Sequence, residues 1–524
     1  MTTSRLFITT ALLLSTGAAF AQTGDIYAGA AFQYNDVQQT GTARFRALGG
    51  NHAALGGDAS SVFGNPAGLA FYNRSELSIS PTFLNNSAQS TYLGNTRTDI
   101  NSKASIGQLG LILAGDNGNS NRRWKRTALG VTYNQNINFS NRFAFEGLNR
   151  RSSFVNGIIN DANSRNNLTG GQIDGAYTPG TNQAADLLAA AYQLYLVNGT
   201  AFVNGQNQED SRAPFFGYDM NRARNQINTF ESSGSQSQWT FAYAGNLDDK
   251  LYIGANVGLN RLRYNSDNVL TEQIQGGASF GSTILRDRLN VTGNGINVSL
   301  GAIYKLSPQL QIGATLASPT FLRVAETFSQ NIRVTTVDPK LSALLTTDNV
   351  DVDPNDFEYR VTGPLRASGG ATVFLGSGGK IGFLTASAEY VGYAGMRVNT
   401  TAYDAQTNND VRSEVRTAVQ NTYQNVINFR AGAEIRAGQF RIRGGAAYLP
   451  DAYIDKLDNI DRTRLLLSGG LGYRNARFFA DVAGTYNTFK SAFTPYTLPN
   501  QNDYGSAQIN NNRTNITLSV GTFF

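Results

Sequence analysis

The chain of 524 residues contains no cysteine and a single histidine, His52. The lack of cysteine excludes disulfides, cysteine-based zinc sites and thiol catalysis. One histidine argues against histidine-rich metal sites and against a Ser-His-Asp triad. The pair Asp248-Asp249 falls in a predicted turn, and the serines are scattered through polar segments without a nearby base. The sequence therefore predicts a protein that is not an enzyme and that binds neither a metal nor a cofactor.

Charged residues are also scarce, at 15% of the chain, with 43 Lys and Arg against 37 Asp and Glu. The small basic excess is spread along the chain, so it does not predict a nucleic-acid partner. Beyond residue 21 the sequence has no run of about 18 apolar residues, which argues against ordinary transmembrane helices. What is abundant is Gly (55), Phe (30) and Tyr (24). This composition favours a large glycine- and aromatic-rich β structure.

The N-terminus has the pattern of a secretory signal. Arg5 precedes an apolar segment from Leu6 to Leu14, and Ala19-Phe20-Ala21 provides a small-x-small cleavage site before Gln22. We therefore expect residues 1–21 to be a signal peptide and the mature protein to be exported.

Several segments alternate between apolar and polar or small residues with a period of two. Leu251, Ile253, Ala255, Val257 and Leu259 alternate with Tyr252, Gly254, Asn256, Gly258 and Asn260, and similar patterns start at Ile296 and Ile427. Transmembrane β-strands show this pattern, although a half-buried soluble sheet would too. At the C-terminus Ile516, Leu518 and Val520 alternate with polar residues up to Phe524. We expect this terminal aromatic strand to be read by the barrel-assembly machinery.

The spacing of the candidate strands is more specific than any one of them. About fourteen strands are predicted, and the connections alternate between long (85–102, 141–235, 266–291) and short (116–121, 247–249, 307–308). Short periplasmic turns and long extracellular loops produce this rhythm in outer-membrane barrels. The prediction is an all-β protein, a transmembrane antiparallel β-barrel over residues 74–524 whose largest loop is 141–235.

The segment from Gly41 to Asn73 fits neither a strand nor a helix. It contains GGDASSVF followed by GNPAGL, and it resembles the N-terminal hatch of the FadL/TodX family of outer-membrane transporters of hydrophobic compounds. The resemblance implies a small hatch (residues 22–73) inside the barrel lumen, in the outer membrane of a Gram-negative bacterium. It also implies a hatch or gating role for Asn65, Pro66, Ala67 and Asp58, the last of which could cap a short turn. The alternative is that Asn65-Pro66-Ala67 only forms a tight turn leading into the first strand.

Two groups of residues are candidate ligand contacts. In the long loop, Ala184 to Val197 predicts a short helix with a broad apolar surface. Its neighbourhood predicts a capture groove formed by Leu187, Leu188, Leu194, Tyr195, Phe215 and Phe216, or else a lid that packs on itself. In the barrel, the lumen-facing Arg430, Arg441 and Arg443 are candidates for holding a ligand carboxylate. The alternative for these arginines is a set of Arg–Glu pairs that hold the wall and the hatch in register.

The function that this resemblance implies is passive, ligand-gated uptake of hydrophobic small molecules, with long-chain fatty acids first and aromatic hydrocarbons second. Its partners would be outer-membrane lipid and the apolar ligand. A scaffold or shuttle barrel of a protein secretion system is the alternative, because the polar, Asn-rich loops suit protein contacts. A general porin is a third possibility, against which the hatch and the apolar loop argue.

Overall fold

A computed structural model describes residues 20–116, 123–200, 202–203, 206–207, 211–376, 379–454 and 460–524. The predicted signal peptide lies outside these residues, apart from its last two positions. The predicted turn at 376–379 also lies partly outside them, at residues 377–378.

The described residues form a closed antiparallel barrel of fourteen strands, as the sequence predicts. The closing contact joins the first strand to the last, from Glu76 opposite Phe523 to Thr91 opposite Gln508. Four strands are interrupted and continue after a short break. In chain order the strands are β1 Glu76–Tyr92, β2 Asn95–Asp116, β3 Trp124–Asn138 with Asn141–Asn149, β4 Arg224–Leu247, β5 Leu251–Ile274, β6 Phe280–Lys305, β7 Leu310–Ala317 with Phe321–Thr336, β8 Asn349–Val352, Asn355–Thr362 and Arg366–Leu375, β9 Gly382–Val391 with Arg397–Thr400, β10 Val426–Ala437, β11 Phe440–Leu449, β12 Arg464–Arg474, β13 Phe478–Phe493 and β14 Ala507–Phe523.

An apolar band surrounds the lower part of the barrel. On β5, Ile253, Val257 and Leu259 point outwards and are 41%, 40% and 49% exposed, whereas Asn256 and Asn260 are buried in the lumen. This confirms the predicted assignment of the two faces. Exposed apolar side chains of this kind occur around the whole wall, among them Leu77, Leu111, Leu129, Phe241, Val298, Ile312, Leu384, Ile435, Ile442, Leu471, Val482 and Leu518. A continuous band of this kind is the surface that a bilayer covers.

Above the band the hydropathy of the two faces is reversed. Beyond Asn260, the outward positions of β5 are Arg261 and Arg263, and the inward ones are the buried Leu262 and Tyr264. On β6, the neighbouring strand, Asn294 points outwards above the exposed Ile296. The strands therefore leave the bilayer at this level and continue into water, where they enclose an apolar interior.

Because the strands continue above the bilayer, the predictions of long loops at 85–102 and 266–291 are wrong. Residues 85–102 are mostly strand, and β1 and β2 meet at a two-residue turn, Leu93-Gly94, whose φ angles of 46° and 88° suit a tight hairpin. Residues 266–291 likewise belong to β5 and β6 except for 275–279. The lipid-facing pattern ends at the bilayer surface, and the sequence was interpreted as loop where the strands in fact continue with opposite polarity.

Seven helices lie among the described residues: α1 Phe20–Gln33, α2 Ala43–Ala47, α3 Phe154–Ser164, α4 Gly170–Asp174, α5 Leu187–Gln193, α6 Pro339–Leu344 and α7 Ala405–Thr422. None of them is long and apolar enough to cross a bilayer. α1 and α7 pack together in the apolar core above the band, where Phe32 stacks on Tyr423 with ring centroids 4.7 Å apart. α7 lies in a stretch that was predicted as a loop, although its buried Val411, Val415 and Val419 have helical spacing.

The predicted hatch region divides into two parts. Residues 20–33 are α1, which lies in the upper core, and the segment from Tyr34 to Tyr72 contains α2 and two short 3-10 helices, Ala59–Val62 and Pro66–Phe71. Contacts of α2 with β11, β12, β13 and β14, and of Pro66–Phe71 with β4, β5 and β6, place this second part across the lumen at the level of the band.

Candidate functional site

Glycines in the wall make room for the hatch. At Gly301 on β6 an added Cβ would lie 2.0 Å from Oδ1 of Asn65, and at Gly313 on β7 it would lie 2.0 Å from the carbonyl oxygen of Ala53. Real Cβ atoms do not approach other atoms so closely, so these positions accept only glycine while the hatch stays in place. The hatch is therefore seated against the backbone of the wall.

Asn65 connects the hatch to itself and to the wall. Its Oδ1 accepts a hydrogen bond from the N–H of Ala67 at 3.1 Å, which caps the 3-10 helix that begins at Pro66. Its Nδ2 donates to the carbonyl of Ala53 at 2.6 Å, and the carbonyls of Ala302 and Ala314 lie at 3.4 and 3.3 Å. The side chain is fully buried, and these contacts join two hatch segments to β6 and β7.

Asp58 begins a chain of charges that runs from the hatch into the wall. Its carboxylate accepts hydrogen bonds from Ser60 N at 2.8 Å and from Thr42 Oγ1 at 2.9 Å, and it lies 4.0 Å from Arg44. Arg44 in turn lies 3.5 Å from Glu434 on β10. Asp58 therefore helps to hold the hatch to the wall.

The predicted lumen arginines fall into different environments. Arg443 is buried between Glu434 at 2.7 Å and Asp481 at 2.6 Å, so it belongs to the same chain of charges. Arg441 donates to the carbonyls of Gly438 and Phe440 at the short-turn end of the barrel. Arg430 pairs with Glu389 at 2.8 Å and is the one of the three that lines the large cavity described next. The contacts of Arg430 and Arg443 correspond to the pairing alternative, and those of Arg441 do not. Ligand binding by the three arginines stays a prediction.

Above the hatch the lumen holds a chamber of about 460 Å³. Its floor includes Gln38, Gln39, Arg46 and Gly49 of the hatch. One side is an aromatic cluster in which the rings of Phe143, Phe230 and Phe493 lie 4.9 to 5.3 Å apart. Tyr27 of α1 and the adjacent Tyr34 form another side, together with Tyr264 and Leu289. The size falls within the range of about 300–1,000 Å³ that is usual for small-molecule sites.

The chamber carries more cations than anions. Six basic residues line it (Arg46, Arg430, Arg462, Arg464, Lys490 and Arg513) against four acidic ones (Asp25, Asp36, Glu326 and Asp451). Three of the acids already have partners. Asp36 pairs with Arg464, Glu326 accepts hydrogen bonds from Tyr27 and Tyr359, and Asp451 accepts from the backbone N–H groups of Tyr453 and Arg462. The chamber thus combines apolar and polar walls with a net positive lining.

Two arginines of this lining have no carboxylate partner among the described residues. Arg46 on α2 is only 4% exposed and donates through Nε to the carbonyl of Gly41 at 3.2 Å. Arg513 on β14 has a buried Nε without a hydrogen-bond partner, and its guanidinium lies 5.5 Å from the ring of Phe489. A buried cation without a counter-ion is unfavourable, and an anionic group in the chamber would relieve it.

The apolar residues predicted as a capture groove lie elsewhere. Leu187, Leu188, Leu194 and Phe215 are 6% or less exposed in the core of a cap above the barrel, which α3 and α5 form with the upper parts of β5 to β8. Tyr195 is half-buried and Phe216 is 40% exposed at the edge of this core. None of the six lines the chamber. Their contacts correspond to the predicted lid, and contact with a ligand on its way to the chamber stays a prediction.

The wall beside the chamber has a gap in its hydrogen bonding. The β2–β3 backbone ladder ends at Gln108 opposite Asn134, and above this pair the backbones of the described parts of the two strands pair only with their outer neighbours, β1 and β4. Side chains bridge the gap: Ser105 Oγ donates to Gln135 Oε1 at 2.7 Å. Higher up, Asp99 accepts from the N–H of Ala144 at 2.9 Å, and Asn95 Nδ2 donates to the carbonyl of Glu146 at 3.3 Å. Ser105 and Gln135 also line the chamber. At the upper edge of the apolar band, side-chain contacts therefore replace the backbone ladder in the wall between the chamber and the outside.

Comparison with solved structures identifies this architecture. A Pseudomonas aeruginosa FadL homologue aligns over 93% of this chain and 99% of its own length, with a TM-score of 0.52 and 12% sequence identity. The Pseudomonas putida toluene transporter TodX aligns over the same shares, also with a TM-score of 0.52 and 12% identity. The chain has the fold of the FadL and TodX channels. No family sequence model and no curated protein matches it in sequence.

Within this FadL-type fold, the sequence predicted the hatch motif but not most of the residues that line the chamber. Arg46 and Arg513 were not singled out, because single arginines in a glycine-rich or an alternating segment give no local signal. The helix α1 was included in the hatch without a helical prediction. Only Arg430 belongs both to the predicted site residues and to the chamber lining.

Proposed function

We propose that the protein is an outer-membrane channel for the passive uptake of hydrophobic small molecules, and that long-chain fatty acids are its leading substrates. The observation that carries this proposal is the chamber, which combines aromatic walls with two arginines that lack a carboxylate partner. A fatty acid would place its chain against Phe143, Phe230 and Phe493 and its carboxylate near Arg46 and Arg513. An aromatic hydrocarbon, the second candidate class, would fit the walls and leave these cations unpaired.

The same architecture disfavours a general porin. The hatch crosses the lumen at the level of the apolar band and is fixed to the wall through Asn65 and Arg44. Water-filled porins keep an open polar channel. The protein that we propose is a transporter and not an enzyme.

We also propose a route for the substrate. The molecule would enter through the cap, bind in the chamber, and leave either past a displaced hatch or sideways through the gap between β2 and β3. The lateral exit needs the separation of a few side-chain contacts between β2 and β3, of which Ser105–Gln135 lines the chamber, whereas the downward exit needs the release of many hatch contacts. We therefore favour the lateral exit.

The substrate class can be tested by ligand binding to the detergent-solubilised barrel. The double variant Arg46→Gln/Arg513→Gln should bind palmitate at least about tenfold more weakly than the parent chain, because hydrogen bonds to a charged group contribute about 1.5–3 kcal/mol each. Toluene binding should not change. The control is Arg263→Gln, which removes a positive charge from the outward face of β5. Equal losses for palmitate and toluene, or an equal loss in the control, would contradict the proposed carboxylate site.

The lateral exit can be tested with cysteines, because the chain has none of its own. Cysteines at Ser105 and Gln135, joined by a short bifunctional thiol reagent, should stop uptake into proteoliposomes and leave binding unchanged. The control pair is Leu113 and Leu129, which already face each other in the β2–β3 ladder, so that cross-linking them should not affect uptake. Unchanged uptake after closing the gap would favour exit past the hatch.

A further inference from the structure

Three arginines converge on a pocket at the outer surface of the barrel, on the side where β9 meets α7. The pocket has a volume of about 250 Å³ and is lined by Arg397, Asn399, Arg412 and Arg416. Arg412 and Arg416 lie one helical turn apart, so they project from the same side of α7. All three arginines are exposed, and none of them forms an ion pair with a described residue.

The pocket opens outwards, away from the chamber. Val398, between Arg397 and Asn399, is 2% exposed in the apolar core, so its two neighbours on the strand point in the opposite direction. On α7, Val411 and Val415 are buried in the same core, whereas the neighbouring Arg412 and Arg416 are exposed. Arg360 on β8 is the register partner of Asn399 and is also exposed, which adds a fourth cation at the rim.

The outward residues of β9 itself place the pocket at the upper edge of the apolar band. Tyr390 on this strand is 38% exposed, and Ile427, opposite it on β10, is 48% exposed. After the break at residues 392–396, β9 resumes with the exposed Arg397. The arginines are therefore at the level where lipid headgroups meet water.

We propose that this pocket binds a phosphate group of a phosphorylated lipid in the outer leaflet. Guanidinium groups bind phosphate through paired hydrogen bonds, and several converging arginines suit its oxygens better than a single lysine would. Without an anion, three like charges around one small pocket repel one another. A lipid phosphate at this height can enter the pocket while the acyl chains stay against the apolar band below, for example near the exposed Tyr390. This inference concerns the outer wall and does not depend on which molecule the chamber carries.

The test uses the full chain in nanodiscs of phosphatidylcholine doped with diphosphoryl lipid A, and native mass spectrometry or titration gives the affinity. The triple variant Arg397→Gln/Arg412→Gln/Arg416→Gln should bind lipid A at least about tenfold more weakly than the parent chain. The control triple variant loses the same charge from exposed arginines on the outward faces of β5 and β6, which line no described pocket, and it should lose less than about threefold. Its substitutions are Arg261→Gln, Arg263→Gln and Arg288→Gln. Heat-modifiable migration on gels confirms that both variants form barrels.

Four outcomes would overturn the proposal. Equal losses in both triple variants would show that general surface charge is enough. Full binding by the variant Arg397→Lys/Arg412→Lys/Arg416→Lys would show the same. If the parent chain and the pocket variant differ just as much in their affinity for lipid A that lacks its phosphates, phosphate is excluded as the recognised group. Inorganic phosphate that occupies the pocket as strongly as the lipid does would assign the site to free phosphate. Loss confined to the pocket variant and to phosphorylated lipid would support the proposal.

Discussion

The substitution Asn65→Ala should loosen the hatch without unfolding the barrel. It removes the hydrogen bonds to Ala67 N and to the carbonyl of Ala53, and the longer contacts to the carbonyls of Ala302 and Ala314. Each well-formed bond contributes about 1 kcal/mol net, and the buried partners left unpaired add a further cost, so we expect a local loss of about 2–3 kcal/mol. At about 1.4 kcal/mol per factor of ten, the population with a displaced hatch should rise about 30- to 150-fold.

Hydrogen–deuterium exchange of the purified barrel measures this population directly, in peptides that cover residues 53–72. Exchange there should accelerate by that factor, and exchange in the membrane-level strands should not change. Asn51→Ala is the matched control, because Asn51 is also fully buried in the hatch but its side-chain nitrogen and oxygen have no hydrogen-bond partner. Its removal should be close to neutral. If Asn65→Ala accelerates exchange no more than Asn51→Ala does, Asn65 is not the anchor that its contacts indicate.

Two other predictions follow from the same structure. Gly301→Ala should displace the hatch and destabilise its seat by about 1–3 kcal/mol, since the new Cβ would lie 2.0 Å from Asn65 Oδ1, whereas Gly444→Ala, with no atom within 4 Å, should be silent in the same exchange assay. Asp219 should make the stability of the cap depend on pH. Burial opposes the charge of its carboxylate, but the N–H groups of Ala278, Phe280 and Ser279 donate hydrogen bonds to it and lower its pKa below 3.8. Because the folded pKa is the lower one, this contribution to stability is present above about pH 4 and is lost as the pH falls through the folded value. The protection factors of residues 275–280, which correct the exchange rates for the intrinsic effect of pH, should therefore fall in acid in the parent chain. Asp219→Asn should abolish that pH dependence, and an identical acid response in the variant would contradict it.

Much of the barrel was predictable because a bilayer imposes a simple rule on each strand. Lipid on one face and a polar lumen on the other give a period of two, so the faces of Leu251 to Asn260 could be assigned from the sequence and are confirmed by exposure. The helix predicted between Ala184 and Val197 is confirmed over Leu187–Gln193, with Asp186 as its N-cap. Local chemistry fixed both features, since each depends only on residues that are close in sequence.

The upper strands and the chamber could not be predicted in this way. Outside the bilayer the solvent changes from lipid to water, so the same alternation continues with inverted polarity, and only the position of the bilayer shows where the inversion occurs. The apolar surface of α5 was visible in the sequence, but whether it contacts a ligand or a neighbouring segment depends on what the fold places beside it. Here β5 to β8 bring Leu270, Ile332 and Val350 into the same core.

By itself, then, the sequence determined the strand period, the barrel and the hatch motif, because these follow from neighbours along the chain and from the medium around them. The tertiary structure alone decided which charges lack a carboxylate partner. Arg443, Arg46 and Arg513 are all arginines of the lumen, yet the fold places two carboxylates beside the first and no carboxylate partner beside the other two. Counter-ions come from segments that are distant in sequence, and barrel closure determines which of them meet.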